Sequence, residues 1–180
     1  MKTLIIVIHP DLKNSSVINK RWVEELLKYP NRYTVSDLYS CYPNEKIDVA
    51  QEQQLIENHD KIIFQFPFYW FNCPPLFKKW LDEVLTHGWA YGSHSGYKFS
   101  GKKIALAITA AAEEEDYRAT GVYKYTLRQF TIPFEITFNW IKADYKSFFA
   151  FYGADYLASE GKTERLEKST TDYIAFIESL

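Results

Sequence analysis

The 180-residue chain has little cysteine, only Cys41 and Cys73. Two thiols are too few for a disulfide framework and suit a reducing compartment. Charge of one sign is also lacking: 21 Lys and Arg against 23 Asp and Glu leave a formal net charge of -2. That balance excludes the basic face that non-specific nucleic-acid binding needs. It also argues against a small acidic electron carrier, which steers its partner with a large negative field. No apolar run approaches the roughly 20 residues of a membrane span. The opening MKTLIIVIHP is apolar for about six positions before His9 and Pro10, too short for the core of a signal peptide. Together these absences imply a cytoplasmic protein. Neither G-x-G-x-x-G nor G-x-x-x-x-G-K-[ST] occurs, which excludes the dinucleotide fingerprint and the Walker loop. The four histidines (His9, His59, His87 and His94) have no ligand spacing, so no metal site is expected.

Rings, by contrast, are abundant: 14 Tyr, 13 Phe and 5 Trp, or 18% of the chain. Either the core is unusually ring-rich or some rings line a site for a flat ligand. They are densest in QFPFYWFNCPPLFKKW, residues Gln65 to Trp80.

Hydrophobic periodicity predicts five strands alternating with helices. TLIIVI (Thr3 to Ile8) is a continuous β-branched run, the mark of a strand buried on both faces. Strands follow at Arg32 to Leu38, Lys61 to Phe66, Lys103 to Thr109 and Lys146 to Tyr152. Helices are predicted at Ser15 to Lys28, Asp48 to Asn58, Pro74 to His87, Thr126 to Ile136 with an interruption near Pro133, and Glu160 to Leu180. This is an α/β pattern in one domain, residues 1–180. Right-handed crossovers make it a doubly wound five-stranded parallel sheet, flavodoxin-like in order 2-1-3-4-5, with helices on both faces.

In such a sheet ligands bind beyond the carboxyl ends of the strands, where the winding reverses. That point lies between strands one and three. Its walls are the loops His9 to Ile18 (HPDLKNSSVI), Pro67 to Cys73 (PFYWFNC) and Thr109 to Tyr117 (TAAAEEEDY). The first leads into a helix N-terminus with Ser15, Ser16 and Asn19. Those residues either cap the helix or, with the free N–H groups, hold a phosphate. The ring loop is either a local aromatic core or a wall for a planar heterocycle. Cys73 beside it is either redox-active or a small buried residue before Pro74.

Several stretches resemble one family. They are His9-Pro10, Ser16-x-x-Asn19, Asp37-Leu38-Tyr39, YPNEKIDVAQEQ (Tyr42 to Gln53) and FQFPFYWFNCPPLFKKWLDEVLTHGWAYG (Phe64 to Gly92). On them the chain resembles the flavodoxin-like NAD(P)H:quinone oxidoreductases. It is most similar to the small bacterial branch of general stress proteins and ancillary oxidoreductases of glutathione-gated potassium efflux. The resemblance implies bound FMN, with FAD as the other candidate flavin. It further implies hydride transfer from NADH or NADPH to flavin N5, then two electrons passed to a quinone or similar acceptor, with ping-pong kinetics. His9, Ser16, Ile18 (through its N–H) and Asn19 would hold phosphate and ribityl chain. Pro67, Phe68, Tyr69, Trp70 and Phe71 would line the ring system, with the backbone of Phe68 to Phe71 bonded to its polar edge. Thr109, Ala110, Ala111 and Ala112 would face the pyrimidine edge.

Tyr117 matches a family tyrosine that stabilises charge on the reduced flavin, and Tyr123 stands where larger relatives carry a histidine. Thr109-Ala110-Ala111-Ala112 stands where the family has Thr-Thr-Gly-Gly or Ser-Thr-Gly. Alanine in place of those glycines would cost about 1 kcal/mol if φ had to be positive, or crowd the ligand if the glycines served close approach. A homodimer is implied too. The alternative reading is an ancillary subunit of a potassium efflux transporter, peripheral to the inner membrane, with redox activity secondary or lost.

Overall fold

The computed structural model describes residues 2–94, 96–156 and 162–180. Five strands, β1 (Thr3–Val7), β2 (Tyr33–Asp37), β3 (Lys61–Pro67), β4 (Lys103–Thr109) and β5 (Asp144–Phe151), form one sheet. Its order is β2-β1-β3-β4-β5 and all four pairings are parallel. The helices among the described residues are α1 (Ile18–Leu26), α2 (Leu38–Cys41), α3 (Val49–Glu57), α4 (Pro75–Val84), α5 (Leu127–Trp140) and α6 (Lys162–Ser179). This is the flavodoxin-like order expected from the alternation of patterns.

Every residue of β1 and β3 is buried between two helical layers, the polar Lys61 and Gln65 of β3 included. Alternate side chains feed two cores. Ile6, Phe64, Phe66 and Leu106 pack with Phe77 and Trp80 of α4 and with Phe134 and Phe138 of α5. Ile5, Val7, Ile63 and Ala107 pack with Trp22 of α1 and Tyr173 of α6. Phe64 stacks on Phe77 at 4.7 Å and on Phe138 at 5.2 Å between ring centroids. Much of the ring excess is therefore core.

Several sequence-based boundaries shift; α4, for one, ends at Val84 rather than His87. Ser15 and Ser16 precede α1 rather than open it, because the Ser15 N–H and hydroxyl both turn back to the Asp11 carbonyl. A short α2 follows β2 directly, capped by the Asp37 side chain, which accepts the Ser40 N–H. β5 begins at Asp144 and carries a register irregularity opposite Ile104 and Ala105. α5 is not interrupted at Pro133 but continues to Trp140. Pro133 lacks an N–H, at a cost of about 3 kcal/mol. Burying Phe134 and Phe138 beyond it returns about 1.5–3 kcal/mol each, so the helix holds. Of the expected last helix, Glu160 and Gly161 lie outside the described residues.

Candidate functional site

A cleft of about 450 Å³ opens at the carboxyl ends of the strands, within the usual range for small-ligand sites. It is lined by His9 and Ser15 to Asn19, by Pro67, Phe68 and Tyr69, by Thr109 and Ala111, and by Ala154 and Asp155.

One end is built from the N-terminus of α1. The first N–H groups of a helix have no intrahelical acceptor. The Lys20 N–H is taken by the Ser16 hydroxyl at 3.3 Å. Those of Val17, Ile18 and Asn19 remain to face the cleft. His9 adds a donor. Its Nδ1 accepts the Asp11 N–H at 3.1 Å, which places the ring proton on Nε2. Burial lowers the pKa of His9, against smaller opposing effects of Asp11 and Asp37, and keeps the ring neutral. Aligned N–H groups, hydroxyls and an imidazole N–H suit a phosphate without any Lys or Arg in the wall.

Beneath the floor runs a buried polar relay. Tyr173 donates to Gln65 Oε1 at 3.1 Å, and Gln65 Nε2 donates to Asn19 Oδ1 at 3.2 Å. Asn19 Nδ2 then donates to Thr109 Oγ1 at 2.8 Å. The amide of Asn19 is thereby fixed between β3 and β4, and its ligand-facing role falls to its backbone N–H.

The opposite wall is the ring loop. Phe68 is buried, and its N–H bonds to the Thr109 carbonyl at 2.8 Å. Tyr69 and Asn72 exchange N–H···O bonds of 2.9 Å in both directions, closing a tight turn over Trp70 and Phe71. Both central residues are left-handed, with φ of 50° and 61°, as a type I′ turn demands. Such a turn ordinarily carries Asn or Gly; two aromatics there store strain, which persists where function calls for it. The turn consumes the N–H groups of Tyr69 and Asn72, that of Phe68 goes to Thr109, and those of Trp70 and Phe71 stay outside these bonds. Trp70 is 92% exposed. Phe71 stacks on Phe130 at 5.2 Å and meets Tyr123 edge-on at 5.0 Å.

The third wall follows β4. None of Ala110, Ala111 or Ala112 has positive φ, so the alanines carry no left-handed penalty. Ala110 and Ala112 are buried, while Ala111 lines the cleft. The loop is laced to the one after β5. Gly153 donates to the Ala112 carbonyl at 2.7 Å, and Ala154 to that of Ala110 at 3.0 Å. Gly153 has φ of +67°, where a side chain is strained, and a Cβ there would sit 2.3 Å from the Glu113 carboxylate, which would have to move aside.

Of the expected residues, His9, Ser16, Ile18, Asn19, Pro67, Phe68, Tyr69, Thr109 and Ala111 share the cleft wall. Trp70, Phe71, Ala110, Ala112, Tyr117 and Tyr123 lie beside or behind it. Tyr117 sits in a 3-10 turn (Glu114–Tyr117), edge-on to Phe68 at 6.2 Å and 4.9 Å from the Tyr123 ring. Burial, reinforced by Tyr123, pushes the Tyr117 phenol up to about 12. Burial likewise raises the Cys73 thiol to about 11, which makes it a poor nucleophile. Ala154 and Asp155 were missed. The rule that ligands sit at strand carboxyl ends also covers the loop after β5, and that rule was the signal for them.

The flavodoxin-like fold family model matches residues 1–177. An NAD(P)H oxidoreductase of Bacillus subtilis, YrkL, is 47% identical over 174 residues, 97% of this chain and 98% of that protein. The glutathione-regulated potassium-efflux system ancillary protein KefG of Cronobacter sakazakii is 41% identical over 136 residues, 76% of this chain and 72% of that one. Among solved structures, general stress protein 14 of Treponema denticola in complex with FMN superposes with a TM-score of 0.93 at 46% identity, covering 99% of both chains. An NADPH-quinone reductase from P. pentosaceus superposes with a TM-score of 0.80 at 29% identity, covering 95% of this chain and 96% of that one. The sheet order, the placement of the cleft and these likenesses agree that the chain belongs to the flavodoxin-like family, among relatives named NAD(P)H oxidoreductases and quinone reductases.

Proposed function

We propose that the protein is an FMN-dependent NAD(P)H oxidoreductase that delivers two electrons to a quinone or a similar small planar acceptor. One observation carries this reading: a single cleft joins a neutral anion-binding helix terminus to a flat wall of Pro67, Phe68 and Tyr69. The donor set fits a flavin monophosphate. Val17 to Asn19 N–H groups, Ser16 and His9 Nε2–H would hold the phosphate, and Ala111 with the ring loop would flank the isoalloxazine. FMN supplies the two-electron chemistry; the protein supplies position and polarity. The Trp70 and Phe71 N–H groups would donate to the polar edge of the ring system. Tyr117, protonated throughout the neutral range, would offer an O–H toward developing negative charge.

Hydride donor and acceptor take turns in one crevice, which implies ping-pong kinetics and reacting atoms about 3–3.5 Å apart. A single domain carries the whole site and acts in the cytoplasm. Two copies pair through α5, which exposes Ile132, Ile136 and Trp140 at i, i+4 and i+8 (43%, 62% and 73% exposed), and each completes the other's site.

The test is an absorbance spectrum of purified protein mixed with FMN, with FAD in parallel, after free ligand is removed. Retained FMN bands that bleach on anaerobic addition of NADH or NADPH and return with a quinone are expected. Retained flavin that no pyridine nucleotide reduces would overturn the oxidoreductase reading. The likeness to KefG favours a second reading, an ancillary subunit of a potassium efflux transporter at the inner membrane. Under that reading the protein would co-purify with the antiporter and activate it even after loss of flavin binding.

A further inference from the structure

We propose that Asp155 is the residue that reads the hydroxyl groups of the ligand's polyol chain. The inference rests on the flavin reading above and deepens it. It comes from counting hydrogen-bond capacity in the cleft.

The α1 end of the cleft is rich in donors: backbone N–H groups, the Ser16 hydroxyl and His9 Nε2–H, while the Ser15 hydroxyl has spent its proton on the Asp11 carbonyl. Donors satisfy a phosphate. A ribityl chain between phosphate and ring system brings O–H groups, and these need acceptors. The side-chain acceptors at the floor, both neutral, already accept one hydrogen bond each. Asn19 Oδ1 takes the Gln65 amide, and Thr109 Oγ1 takes the Asn19 amide. The Ala110 and Ala112 carbonyls accept from Ala154 and Gly153, and the Ala111 carbonyl accepts the Asp155 N–H at 3.4 Å. Asp155 is the one carboxylate among the cleft-lining residues, and among the described residues its side chain has no hydrogen-bond or ion-pair partner.

Its position is built rather than incidental. It sits in a 3-10 turn (Ala154–Tyr156) entered through Gly153, whose left-handed backbone disfavours a side chain. Three backbone bonds fasten residues 153–155 to the β4 loop. A carboxylate held there has two oxygens and about four lone-pair sites for hydroxyl donors. Charge-assisted O–H···O bonds of this kind are the stronger class.

The same carboxylate would act oppositely if it lay against the phosphate: removing it would then tighten FMN. The sign of one affinity change therefore decides the matter. Flavin fluorescence titration of the full-length apoprotein with FMN, riboflavin and lumiflavin, which lacks the ribityl chain, separates the parts of the ligand. Asp155→Ala is expected to weaken FMN and riboflavin each by about tenfold and to leave lumiflavin unchanged. Asp155→Asn, which keeps one acceptor, is expected to lose less. FMN affinity within twofold of wild type, tighter FMN binding, or an equal loss for lumiflavin would each overturn the assignment. Failure of the wild type to bind any flavin would instead remove the cofactor reading on which the assignment stands. Asp155 is exposed, so the variants keep the fold, and an unchanged melting temperature checks this.

Discussion

At the scale of single residues, the ring loop carries the most information. Trp70 is held left-handed and its ring lies in water, so its conformation costs energy that its own burial does not return. Trp70→Asn places a residue that tolerates this backbone region. It is expected to raise stability by about 0.5–1 kcal/mol, a rise in Tm of about 1–4 °C for a chain of this size. The same change is expected to raise KM for the acceptor, which steady-state kinetics with a quinone would reveal. An unchanged Tm would mean that the turn is unstrained. Tyr117 supplies a second case. With its phenol at about 12, it stays protonated at working pH, so no rate loss from its ionisation is expected below about pH 10. Tyr117→Phe is expected to lower kcat by about ten- to a hundredfold with FMN affinity unchanged, as for loss of one donor at developing charge. A fall in FMN affinity at constant kcat would assign Tyr117 to binding instead.

At the scale of elements, α3 is pinned to α4 by a buried carboxyl. Glu52 is 1% exposed and accepts from the Tyr42 hydroxyl at 2.9 Å and from Trp80 Nε1 at 2.7 Å. Burial raises its pKa, the two donors lowering it in turn. Glu52→Ala would strand both donors in the core between α3 and α4. It is expected to cost about 2–4 kcal/mol in urea denaturation, with the FMN spectrum intact. A cost below 1 kcal/mol would show that water reaches the pair. Elements were the most legible layer of this sequence. The continuous apolar run of β1 announced a parallel sheet, and its doubly wound order followed from the strand–helix alternation and handedness. What escaped were features decided by tertiary contact. α5 passes through Pro133 because Phe134 and Phe138 are buried beyond it, and no local pattern contains that energy. The late start of α1 depends on Asp11, whose carbonyl captures Ser15. The cleft itself was legible as three loops. Their inner geometry was not: which N–H groups the turn at Trp70 and Phe71 consumes, or that Asn19 spends its amide on Thr109.

At the scale of the whole molecule, the apolar stripe on α5 sets the expectation for assembly. Large exposed aliphatic and indole groups in line along one helix are unusual on a monomer's surface. Ile136→Lys is expected to convert a dimer to a monomer in analytical ultracentrifugation while leaving the far-ultraviolet spectrum unchanged. A wild type that sediments as a monomer at micromolar concentration would refute the pairing. No helix among the described residues is long and apolar enough to cross a membrane.

The strand order also has a consequence in time. The cleft takes its walls from four segments, residues 9 to 19, 67 to 69, 109 to 111 and 154 to 155. All of its strand pairings join distant parts of the chain, and such topologies form slowly. During synthesis, β2, β1, β3 and β4 can pair while β4 still presents an open edge. The fourth wall arrives only once residues 154 and 155 have left the ribosome. A nascent chain stalled before β5 would be a sticky intermediate with an open sheet edge and an unfinished cleft, a species for chaperones to hold.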